Sequence, residues 1–348
     1  MKKITLFLFS CAVAGYSICH AQNVLAPAGL TAIQAHAAAA PAGLNVRPVS
    51  VSSWNSPDGL PYKEFPGVNL GVTSFEMMGT DRIAFLSNAS DEIIITDQGS
   101  GKAVSRFAVA FAPRDFAYDR GAFYVLNERS LTVYTSNGNI LNTVSLPADA
   151  LGVEHLARYG NESYLQLPSG NSLKIESAGQ ACEPRESEGW VTGAGHFVKT
   201  GISGNSYSVV VNTVSGQRFE KTFQAGSRKT AGVYVTGAMA DKIYLDVQTY
   251  ISESPIQVER HIVAIGLNKD GLGSVSSDIK IPDCYYVLSN TDLRVTAGGL
   301  HNMITAPSGV FVYSLSESGD VASKGAYPPA IEKIKYHFNE HLVPAETK

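Results

Sequence analysis

A short pattern that recurs along the chain constrains its fold more than any other feature. Its clearest copy, "PRDFAYDRGAFYVLNERSLTVYTSNGNILNTV" at residues 113–144, consists of four short apolar or alternating runs separated by polar turns. Asn137 and Gly138 lie between the third and fourth runs, and an Asn-Gly pair is a strong signal for a tight hairpin turn. The segment therefore predicts four successive antiparallel strands.

The same arrangement returns five more times between about residue 70 and residue 325. A hairpin glycine recurs at intervals of about forty to fifty residues, each time after a pair of shorter predicted strands. These glycines are Gly101, Gly138, Gly179, Gly216, Gly271 and Gly319. A four-stranded unit that repeats without intervening helices is typical of a β-propeller. We predict an all-β, six-bladed β-propeller of four-stranded antiparallel blades; rings of five or seven blades are the alternatives.

The N-terminal region predicts export. Lys2 and Lys3 precede an apolar stretch that ends in a small-residue cleavage site at Ala21, so residues 1–21 are interpreted as a signal peptide. A lipoprotein acylated at Cys11 is the alternative. The protein is then periplasmic or secreted, and no later run approaches the roughly 20 apolar residues of a transmembrane helix.

The repeat and the composition around it set the domain boundaries. Residues 22–66 are rich in Ala, Pro, Gly and Ser and predict a flexible leader, which leaves 67–327 for the propeller. We expect residues 67–73 to close the ring by adding a strand to the last blade. The tail, residues 328–348, carries apolar residues at helical spacing and predicts a short C-terminal helix, docked on the ring or on a partner.

The net charge limits the classes of partner, and the cysteine content allows one disulfide. The net charge of −4 gives no basis for binding nucleic acid. After removal of the signal peptide the chain keeps Cys182 and Cys284, which could form a disulfide in an oxidising compartment. Two free thiols are the alternative.

Residues 113–144 resemble a blade of the NHL-repeat family of propellers. The matching positions are Pro113-Arg114, Phe116–Asp119, Tyr124-Val125, Val133-Tyr134 and Asn137-Gly138. Asp115 stands where that family usually has glycine. The hairpins at 95–104 and 211–219 also resemble quinoprotein-type repeats, although the tryptophan typical of those repeats is missing. The resemblance implies a propeller whose ligands lie on the face formed by the loops between blades.

That face defines the candidate ligand-binding or partner-binding residues. They lie where first strands begin and in the long predicted loop 248–261 of blade five; the insertion at 182–190 is a second candidate rim element. The candidates are Arg114, Asp115, Glu154, His155, Trp190, Tyr250, Ile256, Glu259, Arg260 and Asp292. Three of them, Asp115, Glu154 and Asp292, are weak candidates for a Ca²⁺ site; otherwise no cofactor is assigned.

Two functions of different classes follow. The chain lacks the G-x-S-x-G, H-E-x-x-H, P-loop and G-x-G-x-x-G motifs, so no catalytic residue is assigned. The first hypothesis is an exported binding or scaffold protein that holds a protein, peptide or glycan partner on its loop face. The second is a Ca²⁺-dependent hydrolase or lyase that resembles gluconolactonase or paraoxonase, with its site at the channel mouth. A quinone-dependent dehydrogenase is disfavoured by the missing tryptophans.

Overall fold

The structure of the protein is a computed structural model that describes residues 44–150, 153, 155–175, 185–254, 256–282 and 286–317. Its strands form six four-stranded antiparallel sheets and one two-stranded hairpin. The predicted all-β fold of six four-stranded blades is therefore confirmed. The proposed disulfide between Cys182 and Cys284 and the predicted helix of the tail lie outside the described residues.

The strands follow one another in chain order. The chain starts with β1 (Leu44–Ser52) and a hairpin of β2 (Lys63–Phe65) and β3 (Val68–Leu70). Blade one contains β4 (Val72–Met78), β5 (Arg82–Ser87), β6 (Glu92–Asp97) and β7 (Ala103–Ala108). Blade two contains β8 (Pro113–Asp119), β9 (Ala122–Asn127), β10 (Ser130–Thr135) and β11 (Ile140–Ser145), and a 3-10 turn follows at Ala148–Ala150.

The remaining blades continue this pattern. Blade three contains β12 (His155–Tyr159), β13 (Glu162–Gln166), β14 (Ser172–Ile175) and β15 (Arg185–Ser187). Blade four contains β16 (Trp190–Val191), β17 (Phe197–Ser203), β18 (Ser206–Asn212) and β19 (Arg218–Gln224). Blade five contains β20 (Thr230–Met239), β21 (Lys242–Glu253), β22 (Ile256–Asn268) and β23 (Gly271–Ile281). Blade six contains β24 (Leu293–Thr296), β25 (Gly299–Ala306) and β26 (Gly309–Glu317), and its fourth strand is β1.

The ring closes through β1, so the predicted closure by residues 67–73 is wrong. β1 pairs with β26 from Leu44↔Glu317 to Ser52↔Val310 and becomes the outer strand of the last blade. β1 therefore occupies the place of the fourth strand in blade six. The folded part of the chain consequently begins by residue 44, earlier than the predicted leader allows. The reason is that Val46 is buried against Leu315 and its neighbours, which the low average hydrophobicity of the region concealed.

The first strands of the blades stand side by side around the central channel. β4 contacts β8, β8 contacts β12, β20 contacts β24, and β24 returns to β4. In an antiparallel sheet of this order, the turns between second and third strands lie at the same end as the links between blades. We call this end the loop face, and the candidate side chains are distributed around it.

The hydrophobic core lies between successive blades, which explains why many strands are apolar without alternation. In blade one, Phe85 and Ile94 pack with residues of blade six, whereas Leu86 and Ile93 pack with residues of blade two. Successive side chains of a strand point to opposite faces, so both faces of each blade are buried against a neighbour.

The predicted hairpin glycines have a second role in packing. Gly101, Gly138, Gly216 and Gly271 all have positive φ angles, as tight turns require, while Gly179 and Gly319 lie outside the described residues. A Cβ atom at Gly101 would lie 1.8 Å from the carbonyl oxygen of Val51 in β1. At Gly138 it would lie 2.5 Å from Cβ of Phe107 in β7. These two hairpins therefore pack directly on the outer strand of the preceding blade.

The prediction that residues 248–261 form a long loop is wrong, because most of these residues lie in β21 and β22. β21 and β22 pair as far as Glu253↔Ile256, so the two strands form one long hairpin. β20 begins to pair at Thr249 and β23 ends at Arg260, so the hairpin extends beyond both neighbouring strands. Ser252 and Glu253, which the sequence analysis assigns to a loop, are the last residues of β21. No helix among the described residues is long and apolar enough to span a membrane.

Candidate functional site

Asp115 lies at the start of β8 and is completely buried. Its Oδ1 accepts hydrogen bonds from Ser74 Oγ at 2.9 Å and from Arg294 Nη2 at 2.8 Å, and its Oδ2 accepts one from the backbone N of Leu156 at 3.0 Å. Asp115 therefore places a carboxylate that joins blades one, two, three and six. Its neighbour Arg114 donates instead to the carbonyl of Val153 at 3.3 Å.

Arg294, which the sequence analysis did not select, is the partner of Asp115. From β24 it also donates Nε to the carbonyl of Phe75 at 3.0 Å and Nη2 to the carbonyl of Phe116 at 2.8 Å. One guanidinium therefore bonds to blades one and two from blade six. Glu76 and Arg294 carry opposite charges and lie in the first strands of two different blades. The sequence alone does not show that they pair, because only the closed ring places blades six and one together.

Glu76 completes this channel cluster, with Oε1 at 3.4 Å from Arg294 Nε. Burial raises the pKa of Glu76 to about 7, and the negative Asp115 adds to this shift, while Arg294 opposes it. Two carboxyl groups share one guanidinium, and Asp115 makes the closer contact. The folded state therefore holds a proton on Glu76 at pH values where the unfolded chain has released it.

The stability of the protein should accordingly fall as pH rises from about 4.5 to about 7 because of Glu76. Glu76→Gln removes the charge and keeps a hydrogen-bonding side chain. We expect this variant to match the wild type at pH 4.5 and to exceed it by about 2 kcal/mol in unfolding free energy at pH 8. Urea unfolding at both pH values measures the difference. Exposed Glu64→Gln is the control, and an equal difference for both variants would contradict the assignment.

Arg260 and Asp292 form a second buried ion-pair cluster, between blades five and six. Arg260 Nη1 lies 2.7 Å from Asp292 Oδ2, and Nη2 lies 2.7 Å from Asp246 Oδ2. Only 4% of the Arg260 side chain is exposed. Both acidic neighbours raise the pKa of Arg260 against the opposing effect of burial, so it stays charged. The geometry gives these residues a clear role in joining blades.

The remaining first-strand candidates do not assemble with these clusters. The rings of His155 and Trp190 lie 6.2 Å apart between blades three and four, and the Trp190 indole donates to the carbonyl of Leu167. Glu154 lies outside the described residues. The candidates thus separate into three regions of the ring.

The carboxylates of the suggested Ca²⁺ site are already paired with arginines. Asp115 bonds to Arg294 and Asp292 bonds to Arg260, so neither offers the free oxygens that Ca²⁺ needs. In the part of the chain that the structure describes, no group of three His, Cys, Asp or Glu side chains is placed to hold a metal ion.

The β21–β22 hairpin carries the other candidates and is held firmly at its base. Tyr250 N donates to the carbonyl of Lys229 at 2.9 Å, and Lys229 Nζ lies 3.2 Å from Glu253 Oε1. Arg228 Nη1 lies 2.6 Å from Glu259 Oε2, and Glu259 also pairs with Lys280. The link between blades four and five therefore supports the arm on one side.

The end of this arm and other parts of the loop face expose apolar side chains. Ile251 is 51% exposed and Ile256 is 40% exposed, close to the turn. Phe111, in the link between blades one and two, is 85% exposed although hydrogen bonds from the backbone of Val109 and Ala112 to Asp91 hold its loop. These large apolar side chains therefore lie on segments whose backbone is held by hydrogen bonds.

Comparison with known proteins adds little to this description. No protein-family model matches the chain, and no curated protein matches it in sequence. The NHL-repeat resemblance consequently remains a resemblance. The six-bladed β-propeller is defined by the strand pairing itself.

Three solved structures with similar folds are distant from this chain in sequence. A candidate exported protein of Bacteroides fragilis is 7% identical over 83% of this chain and 98% of its own, with a TM-score of 0.49. The β-propeller domain of Cps50 (Swd1) from Myceliophteria thermophila is 9% identical over 75% of this chain and 100% of its own, with a TM-score of 0.42. Hydrazine synthase of Kuenenia stuttgartiensis is 12% identical over 83% of both chains, with a TM-score of 0.44. At these values the likeness carries no argument about function.

Proposed function

We propose that the chain is an exported binding or scaffold propeller that holds a protein partner on its loop face. The end of the β21–β22 arm is the principal contact. The observation that carries this proposal is the exposure of Ile251 and Ile256 on a hairpin that projects beyond its neighbouring strands. Export is supported by the basic and apolar pattern of residues 1–21.

The arm suits binding because it is ordered before a partner arrives. The ion pairs of Arg228 with Glu259 and of Lys229 with Glu253 fix its base to the adjacent link. A rigid binding element loses little conformational entropy on association, so more of the contact energy appears as affinity. Exposed apolar groups on such an element are typical of a protein interface rather than of a peptide or glycan site.

The hydrolase alternative finds no comparable support. It depended on a cation held by Asp115, Glu154 and Asp292, and two of these carboxylates serve as partners of buried arginines. If these carboxylates bound a cation, the buried guanidinium groups of Arg294 and Arg260 would lose ion-pair partners. That loss would lower the free energy of unfolding.

Photo-crosslinking tests whether the arm contacts a partner. A photo-reactive residue is placed at position 251, and the same residue at position 214 is the reference. Both proteins are exposed to an extract of the exported fraction of source cells. Val214 is 61% exposed in the hairpin at the opposite end of blade four. We expect a discrete adduct from position 251 and none from position 214.

With that partner purified, the double variant Ile251→Ser/Ile256→Ser should weaken its binding at least about tenfold, because each truncated anchor removes buried apolar area. Calorimetry or surface plasmon resonance measures the dissociation constant. The control is Val214→Ser combined with Ile140→Ser, both at exposed sites. Equal affinity for the two double variants would exclude the arm as the contact.

A further inference from the structure

A pocket of about 380 Å³ opens between blades four and five, below the β21–β22 arm. β18 lines one wall, β21, β22 and β23 line the other, and the link at 224–228 forms its rim. The residues around it are Tyr207, Gln224, Ala225, Gly226, Ser227, Arg228, Val247, Thr249, Glu259, His261, Val263, Val275 and Asp278. Its volume lies in the range of small-molecule sites.

Two residues of the pocket lining, Tyr207 and Thr249, carry hydroxyl groups that reach the pocket space and make no hydrogen bond to another described residue. Tyr207 is 1% exposed and Thr249 is 6% exposed. Burial, with a contribution from the nearby negative Asp278, raises the pKa of Tyr207 to about 12, so its phenol keeps its proton and can donate. Because both residues line the same pocket, a bound molecule with hydroxyl groups can hydrogen-bond to the two side chains at once and replace the water that reaches them.

The charged groups of the pocket already neutralise one another. Arg228 Nη1 lies 2.6 Å from Glu259 Oε2, and His261 Nδ1 lies 2.6 Å from Asp278 Oδ1. A ligand with a net charge would therefore meet a carboxylate and a cation together and gain little from either. Both oxygens of Glu259 and both ring nitrogens of His261 are already in ion pairs, so the other N–H bonds of Arg228 and the second oxygen of Asp278 are the groups that suit neutral hydroxyls.

Val247 and Val263 are buried and form an apolar part of the lining, and Val275, which is 39% exposed, adds a third apolar side chain. A wholly apolar ligand would make no hydrogen bond to the Tyr207 and Thr249 hydroxyls, whereas a fully polar ligand would gain no favourable contact with the apolar side chains. A sugar ring meets both requirements, since its hydroxyls lie around its edge and its C–H groups form an apolar face. The planar polar groups of Gln224 and Asp278 add donors and acceptors at the rim.

We propose that this pocket binds a neutral sugar, as a monosaccharide or as the end of a glycan. Tyr207 and Thr249 hydrogen-bond to its hydroxyls from inside the pocket, and the paired charges contact it at the rim. The site goes beyond the proposed protein contact and is independent of it, because neither Ile251 nor Ile256 lines the pocket.

Ligand-observed NMR and calorimetry on the full mature chain test this site. The probes are glucose, galactose, mannose, N-acetylglucosamine and a neutral disaccharide, and glucuronate and glucosamine are the charged comparisons. We expect saturable binding of at least one neutral sugar and weaker binding of its charged analogue. Binding of charged sugars alone, or no saturable binding of any probe, would overturn the proposal.

Two conservative variants then locate the binding. Tyr207→Phe and Thr249→Val preserve side-chain shape and should each weaken sugar binding about tenfold, because each removes one buried hydrogen bond. Their melting temperatures should stay close to that of the wild type, since neither hydroxyl bonds to another described residue. Tyr118→Phe, in blade two, is the control and should bind normally. Unchanged affinity in both pocket variants would show that any sugar binds elsewhere and would refute this site.

Discussion

Arg294→Met should lower the unfolding free energy of the protein by about 3–5 kcal/mol, because it leaves a buried carboxylate without its cation. Only 1% of the Asp115 side chain is exposed, and its Oδ1 loses the 2.8 Å contact with Arg294 Nη2. The carbonyls of Phe75 and Phe116 lose a donor in the same step. Blade six then loses the guanidinium contacts to blade two, while Asn290 and Thr291, just before β24, still donate to Arg114 and Asp115. Urea unfolding at pH 7 measures the change.

Two further variants separate the charge effect from lost packing. Arg82→Met removes an exposed pair in which Arg82 Nε lies 3.9 Å from Asp81, and it should cost less than about 1 kcal/mol. Adding Asp115→Asn to Arg294→Met removes the orphaned charge and should recover a large part of the loss. Equal effects of Arg294→Met and Arg82→Met would contradict the channel cluster as a stabilising element.

Gly138→Ala should cost about 2–5 kcal/mol, and Gly216→Ala only about 1–2 kcal/mol. The two glycines have nearly the same φ, 82° and 83°, so the strain of the left-handed backbone is matched. They differ in space: a Cβ at Gly138 would lie 2.5 Å from Phe107 Cβ, whereas at Gly216 it meets no described atom within 4 Å. The difference between the two variants therefore measures the contact between blades one and two.

Gly101→Ala extends the same comparison to ring closure. Its Cβ would lie 1.8 Å from the carbonyl oxygen of Val51, which belongs to β1, and backbone cannot move aside as a flexible side chain can. We expect a loss at least as large as that of Gly138→Ala, with increased proteolysis near β1. A loss equal to that of Gly216→Ala would show that β1 does not pack on blade one as described.

Local patterns explain why the blades were predictable and the sites were not. A hairpin such as the one at Asn137 and Gly138 depends on residues close in sequence, so its position could be inferred without the fold. Asp115 and Arg294 are far apart in the chain, and only the ring brings them together. The pocket residues Tyr207 and Thr249 carry no sequence pattern, because they line one pocket only after blades four and five have packed together.

By itself the sequence determined the class of fold, the number of blades and most strand positions, because turn chemistry and strand periodicity are local properties. The tertiary structure alone decided that β1 closes the ring, that residues 248–261 form a projecting arm, and that Asp115 and Asp292 serve buried arginines. Each of these depends on which distant segments meet. That choice follows from the packing of whole blades, in which Val46 and its neighbours gain more by burial than their local sequence suggests.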